Sequence, residues 1–157
     1  MNSISLPAAL AIIAMLVGPA LGQADANYWF ERGTALYREG NYLESMEAYD
    51  MALEINPQDA EAWNNKGIDL GMLGRHDEAI SAFDRATSIN PSYAEAWYNM
   101  GVIFDMQENY LAAIEAYKMA TRIDPSYQKA NVNKNLDIDM VMAPSLSCGC
   151  SGQLPAL

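Results

Sequence analysis

The chain has 157 residues, 51% of them hydrophobic, with twenty acidic side chains against nine basic ones and a formal net charge of −11. Nine cations scattered singly among twenty acids form no patch for phosphates, which excludes a nucleic-acid binder. A single histidine, His76, is too little for a catalytic triad or a zinc site, both of which need partners converging from fixed positions.

The first 24 residues carry no charged side chain, and Leu6 to Leu21 is almost wholly apolar. Gly18-Pro19 would break such a helix, and the small residues Gly22 and Ala24 stand at the −3 and −1 positions of a cleavage site after Ala24; a cut after Gly22 is the second choice. This predicts an export signal over residues 1–24, although no Lys or Arg precedes the apolar run. An uncleaved membrane anchor is the alternative, but the run falls short of the roughly 20 apolar residues that span a bilayer. Either case puts the rest of the chain outside the cytoplasm, secreted or held at the cell surface; an intracellular apolar extension is the third reading.

From residue 25 the composition turns polar and a rhythm begins. Trp29, Trp63 and Trp97 are spaced by 34 (63 − 29 = 34; 97 − 63 = 34). The same step links Gly33, Gly67 and Gly101, then Tyr49, Phe83 and Tyr117, then Ala52, Ala86 and Ala120, then Pro57, Pro91 and Pro125. Such a period predicts helix-turn-helix units that stack on one another, because one hairpin alone cannot bury its apolar face. In the first helix of unit one, Trp29, Gly33 and Leu36 share a face at i, i+4, i+7, and in the second Ser45, Tyr49 and Ala52 repeat that spacing. The glycine lets the second helix approach, and the aromatic ring fills the space beside it, with the tryptophans buried. Gly40-Asn41 and Gly74-Arg75 break the two helices of a unit, and Asn41 with Glu44 reads as a capping box. Asn56-Pro57, Asn90-Pro91 and Asp124-Pro125 end each second helix, since the residue before proline is pushed out of the α region. His76 replaces a turn tyrosine seen as Tyr42 and Tyr110, and reads as an exposed turn residue.

After Pro125, residues 128–142 begin like another first helix, but Asn131 stands where Trp would be and Asn135 where Gly would be. Polar residues there predict a terminal helix that stops the stack. Leu136, Ile138 and Met140 alternate with Asp137 and Asp139, a pattern that also suits a short strand. Residues 143–157, rich in Ser, Gly and Pro, predict a disordered tail. In it Cys148 and Cys150 flank one glycine; the pair suits a soft metal, a small-ring disulfide or a link to another chain, and without nearby further ligands none is favoured over a silent tail.

The units 26–59, 60–93 and 94–127, with a capping helix over 128–142, resemble the tetratricopeptide repeat. Unit two carries its pattern in Trp63, Gly67, Leu70, Ala79, Phe83, Ala86 and Pro91, and unit three in Trp97, Gly101, Phe104, Ala113, Tyr117, Ala120 and Pro125. Unit one departs with Arg32 for a leucine and Ser45 for the small alanine. The resemblance implies an all-α fold, a right-handed α-α superhelix of helix hairpins over residues 25–142. It implies protein binding without catalysis, metal or cofactor, with first helices lining a concave groove that grips an extended peptide or a helix.

Carried over unit by unit, the groove positions are Phe30, Thr34 and Tyr37, then Asn64, Ile68 and Met72, then Tyr98, Val102 and Met106. This lining suits an apolar or amphipathic protein segment, with Asn64 offering hydrogen bonds to its backbone. The alternative is that several, Ile68 and Val102 above all, are core between repeats. Family members that hold an acidic chain terminus use groove cations; only Asn65 and Asn99 resemble part of that set here. The acidity reads either as solubility or as steering toward a basic partner segment. The leading expectation is an exported, non-enzymatic scaffold that holds a partner segment. A second is a self-assembling subunit of an extracellular filament, a homo-oligomer built head to tail. A membrane enters only if the leader is uncleaved.

Overall fold

The computed structural model describes residues 25–142, and everything regular among them is helix. Seven helices follow in order: α1 Ala26–Arg38, α2 Tyr42–Ile55, α3 Ala60–Met72, α4 His76–Ile89, α5 Ala94–Met106, α6 Tyr110–Ile123 and α7 Gln128–Met142. The leader with its cleavage sites, the tail and its Cys148 and Cys150 lie outside the described residues.

Each boundary has a local cause. The Asp59 carboxylate accepts hydrogen bonds from the backbone N–H groups of Glu61 and Ala62, both at 3.0 Å, and Asp25 accepts from Tyr28 at 2.8 Å, satisfying donors that a helix start leaves free. At the other end of α1, Gly40 N–H donates to the Tyr37 carbonyl and Asn41 N–H to that of Leu36, both at 3.0 Å. That is a Schellman closure, which needs a left-handed residue, and Gly40 supplies φ +82°. The same closure recurs at Gly74, φ +74°, and at Glu108, φ +57°, which takes the glycine's place in unit three. Before each proline the chain is extended, with φ between −126° and −128° at Asn56, Asn90 and Asp124. The expected capping box does not form. Asn41 does precede α2, but its side chain makes no cap hydrogen bond and its amide donates instead to Glu39 Oε2 at 3.2 Å.

The helices pair as α1/α2, α3/α4 and α5/α6, with α7 lying on α6. A Cβ at Gly33, Gly67 or Gly101 would fall 2.8, 2.7 or 2.5 Å from the ring of Tyr49, Phe83 or Tyr117, so the glycine and the fully buried ring define one close crossing per hairpin. Ser45, buried in the alanine position, donates its hydroxyl to the Gly33 carbonyl at 2.9 Å, which meets the cost of burying a polar atom.

The tryptophans are half-buried rather than buried. Trp63 packs against both the Tyr49–Leu53–Ala62 cluster and the Leu70–Phe83–Ile103 cluster, and Trp97 against the latter and the Tyr117–Ala120–Ala130 cluster. Each indole therefore joins two units. Its N–H reaches back to the proline carbonyl of the preceding turn, Trp63 to Pro57 at 3.1 Å and Trp97 to Pro91 at 3.4 Å. Lys66 and Arg85 lie 5.3 and 5.8 Å from the Trp63 ring, and Lys66 also pairs with Asp50 of unit one at 2.5 Å. His76, the first residue of α4, is half-buried rather than exposed. The alternation in α7 does not produce a strand: the helix runs unbroken to Met142.

Candidate protein-binding groove

Successive first helices touch, α1 with α3 and α3 with α5, so they form the inner wall of the stack. On that wall a cavity of about 320 Å3 is lined by Thr34, Tyr37, Arg38, Tyr49, Asn65, Ile68 and Glu95. It takes residues from all three units. Thr34 donates to the Phe30 carbonyl at 3.1 Å and lies 3.1 Å from the Tyr49 hydroxyl, so the floor of the cavity is a fixed hydroxyl pair. Burial pushes the Tyr49 phenol up from its ordinary value, with the Thr34 hydrogen bond pulling the other way. Asp69, whose charge acts on that phenol, is fully buried with neither carboxylate oxygen hydrogen-bonded, and burial raises it to about 6.

Of the nine groove residues expected from the repeat register, Thr34, Tyr37 and Ile68 line this cavity. Phe30 lines a neighbouring one of about 320 Å3 with Asn27, Asn56, Asp59 and Glu61, and its ring packs edge-on to Tyr49 at 5.6 Å. Met72 and Met106 are exposed, at 54% and 58%. Tyr98 is half-buried between Tyr117 and Tyr127, ring centroids 5.6 and 5.2 Å away. Ile68 and Val102 are also half-buried, each packed against a core cluster.

Asn64 departs from its expected role. It is only 1% exposed, its carbonyl accepts from the Asn99 amide at 3.0 Å, and its own amide donates to Asn65 at 3.3 Å. A side chain so engaged joins units two and three and is not open to a partner's backbone; Asn65, which lines the cavity, holds that position instead.

Arg38, Tyr49, Asn65 and Glu95 are the lining residues that the groove expectation omitted. Arg38 was discoverable, because a step of 34 from Met72 leads back to residue 38 and not to Tyr37. A larger cavity, about 430 Å3 around Trp29, Arg32, Leu36 and Met51, is not a better candidate. Its register equivalents Trp63, Lys66, Leu70 and Arg85 line a cavity of about 310 Å3 in unit two, so it is a cleft that the hairpin itself makes.

Two family models described as tetratricopeptide repeat match the chain, over residues 23–91 and 64–127, and together span more than half of its 157 residues. The chain belongs to the tetratricopeptide repeat family. Among solved structures, this tetratricopeptide protein is similar to MamA, at 22% identity over 86% of this chain and 78% of the other, TM-score 0.74. It is similar to the first tetratricopeptide domain of Spaghetti (RPAP3) bound to the HSP90 peptide SRMEEVD, at 18% identity over 79% and 98%, TM-score 0.72. These two likenesses show the shared superhelical fold. YrrB, described as a TPR protein with an unusual peptide-binding site, is 31% identical over 73% of this chain and 59% of its own, TM-score 0.69. A search of the curated proteins finds no match.

Proposed function

We propose that this tetratricopeptide protein is an exported, non-enzymatic scaffold that holds a segment of a partner protein in its concave groove. The observation that carries the reading is the cavity of about 320 Å3 on the inner wall, lined from all three units. Its lining is the mixture a peptide site needs: apolar surface at Ile68 and Tyr37, fixed hydrogen-bonding groups at Thr34 and Asn65, and the unlike charges of Arg38 and Glu95. Two relatives support the use of this fold for peptides, RPAP3 with its HSP90 peptide and YrrB with its peptide-binding site. Export rests on the uncharged, apolar residues 1–24. No helix among the described residues is long and apolar enough to cross a membrane.

The test is site-specific photo-crosslinking in the source organism, with the reactive residue placed at Met72, at Met106, or at Leu111 on α6, all three exposed. One discrete protein adduct from positions 72 and 106 and none from 111 is expected. Equal adducts from all three, or adducts from 111 alone, would remove the groove from the account. Mass spectrometry of the same preparation reads the first residue, expected to be Asp25 after cleavage behind Ala24, or Gln23 after cleavage behind Gly22; an intact Met1 would refute cleavage.

A further inference from the structure

Resting on the groove reading above, we infer that the groove seats a cationic side chain, a lysine or arginine of the partner's segment, against the carboxylate of Glu95. Glu95 lies in the first turn of α5 and lines the same cavity as Thr34, Tyr37, Tyr49 and Asn65. Its charge acts on the phenols of Tyr93 and Tyr127, adding to the effect of burial in holding both from ionising. The Tyr127 ring in turn sits 5.2 Å edge-on from Tyr98, one of the groove tyrosines. A carboxylate that shares its cavity with the rings of Tyr37 and Tyr49 favours a cation through its charge, and the negative faces of aromatic rings add to that preference.

The surroundings reinforce that sign. Glu61, in register with Glu95 one unit earlier, stands in the first turn of α3, and Asp59 caps that helix; both act on Tyr93 together with Glu95. The ion pairs among the described residues are Lys66–Asp50, Arg75–Glu78 and Lys118–Glu115, so Glu95 has no internal cation. Arg38 is the one cation lining the cavity, and it is not paired with Glu95. With a net charge of −11, the whole molecule draws a basic segment toward this wall and repels an acidic one. The occupant that fits is an extended segment with a basic residue at Glu95 and apolar neighbours on Ile68 and the exposed Met72.

The experiment is selection from a phage-displayed random dodecapeptide library on the full chain and on two variants, Glu95→Gln and Glu95→Lys, with binding of the winning synthetic peptides measured by titration calorimetry. Peptides selected by the parent chain are expected to share a Lys or Arg beside apolar residues. They should bind Glu95→Gln roughly two- to five-fold more weakly, the scale of one exposed ion pair, while Glu95→Lys should select Asp or Glu at that place. Winners that lose binding in Met72→Ala yet carry no basic residue, or that bind Glu95→Gln unchanged, would overturn this inference and leave the groove standing. No winners at all, or winners indifferent to Met72→Ala, would overturn the groove and this inference with it.

Discussion

Replacing Asp69 by asparagine should make the protein more stable at neutral pH, and the gain should vanish in acid. Asp69 is fully buried on α3, and both its oxygens lack partners. The nearby Ser45 hydroxyl donates to the Gly33 carbonyl, and the Tyr49 hydroxyl is engaged with Thr34. Burial raises the carboxyl from 3.8 to about 6. A carboxyl whose pKa is higher in the folded chain binds its proton more tightly there than in the unfolded chain. Its contribution is therefore fully present below about pH 4 and is lost as pH rises through about 6. Two units correspond to about 3 kcal/mol, or about 10 °C in melting temperature for a domain of this size. Asparagine keeps the shape and carries no charge at any of these pH values. Thermal melts followed by circular dichroism from pH 4 to 8 should show the two proteins converging near pH 4. By pH 7.5 Asp69→Asn should melt about 10 °C higher. A difference that stays flat across this range, or an asparagine variant that melts lower at pH 7.5, would refute the assignment of a dry, unpartnered carboxyl at this junction.

Two further substitutions probe the backbone of the repeat. Gly101→Ala would put a Cβ 2.5 Å from the Tyr117 ring, whose hydroxyl donates to Asp105 at 2.5 Å and accepts from Asn133 at 3.2 Å. With the ring so held, overpacking of about 3 kcal/mol outweighs the roughly 1 kcal/mol that alanine gains in a helix, and a lower urea midpoint is expected; an unchanged midpoint would mean the ring can swing away. Glu108→Gly should act the other way, since Glu108 holds φ +57° where units one and two use Gly40 and Gly74. Relief of left-handed strain, less the entropy of a glycine, predicts a gain of up to about 1 kcal/mol in the same assay; a fall in the midpoint would refute it.

The fold was legible because its determinants recur. Trp, Gly and the aromatic keep one interval, and the structure brings each Gly against its ring within a single hairpin, so counting along the chain was enough. The groove was less legible because it depends on contacts between units, which no single unit contains. Asn64 reads as a free polar group in isolation and becomes buried only when Asn99 of the next unit donates to it. Glu95 belongs to unit three but reaches a cavity whose other walls come from units one and two. The tryptophans illustrate the same point from the packing side. Trp63 and Trp97 follow the same interval as the glycines, yet their burial is divided between two clusters and complete in neither.

Register also bears on whether copies could stack end to end. Ala62, Ala96 and Ala130 occupy one repeat position and are fully buried, Ala62 packing with Tyr49 and Leu53 and Ala130 with Tyr117 and Ala120 of the unit before. The same position in unit one is Tyr28, 54% exposed and packed edge-on to Trp29 at 5.3 Å. A preceding unit docked in the manner of the internal ones would have to displace that ring, because the space it meets elsewhere is the size of a methyl group. At the other end, α7 keeps Ile138 from the Trp–Gly–Leu face but places Asn131 and Asn135 at the other two positions, so a following second helix would find neither an indole nor the close approach a glycine allows. Between these ends, the internal junctions are not equivalent. At the second, Ile103 packs with Phe83 in the register position that Asp69 and Asp137 hold at the other two, and burial raises both of those carboxyls, Asp69 near Tyr49 at the first junction and Asp137 near Asp105 and Tyr117 at the last. The buried carboxyls thus sit at the first and last joints, while the middle one is bridged by the neutral Asn99–Asn64 hydrogen bond.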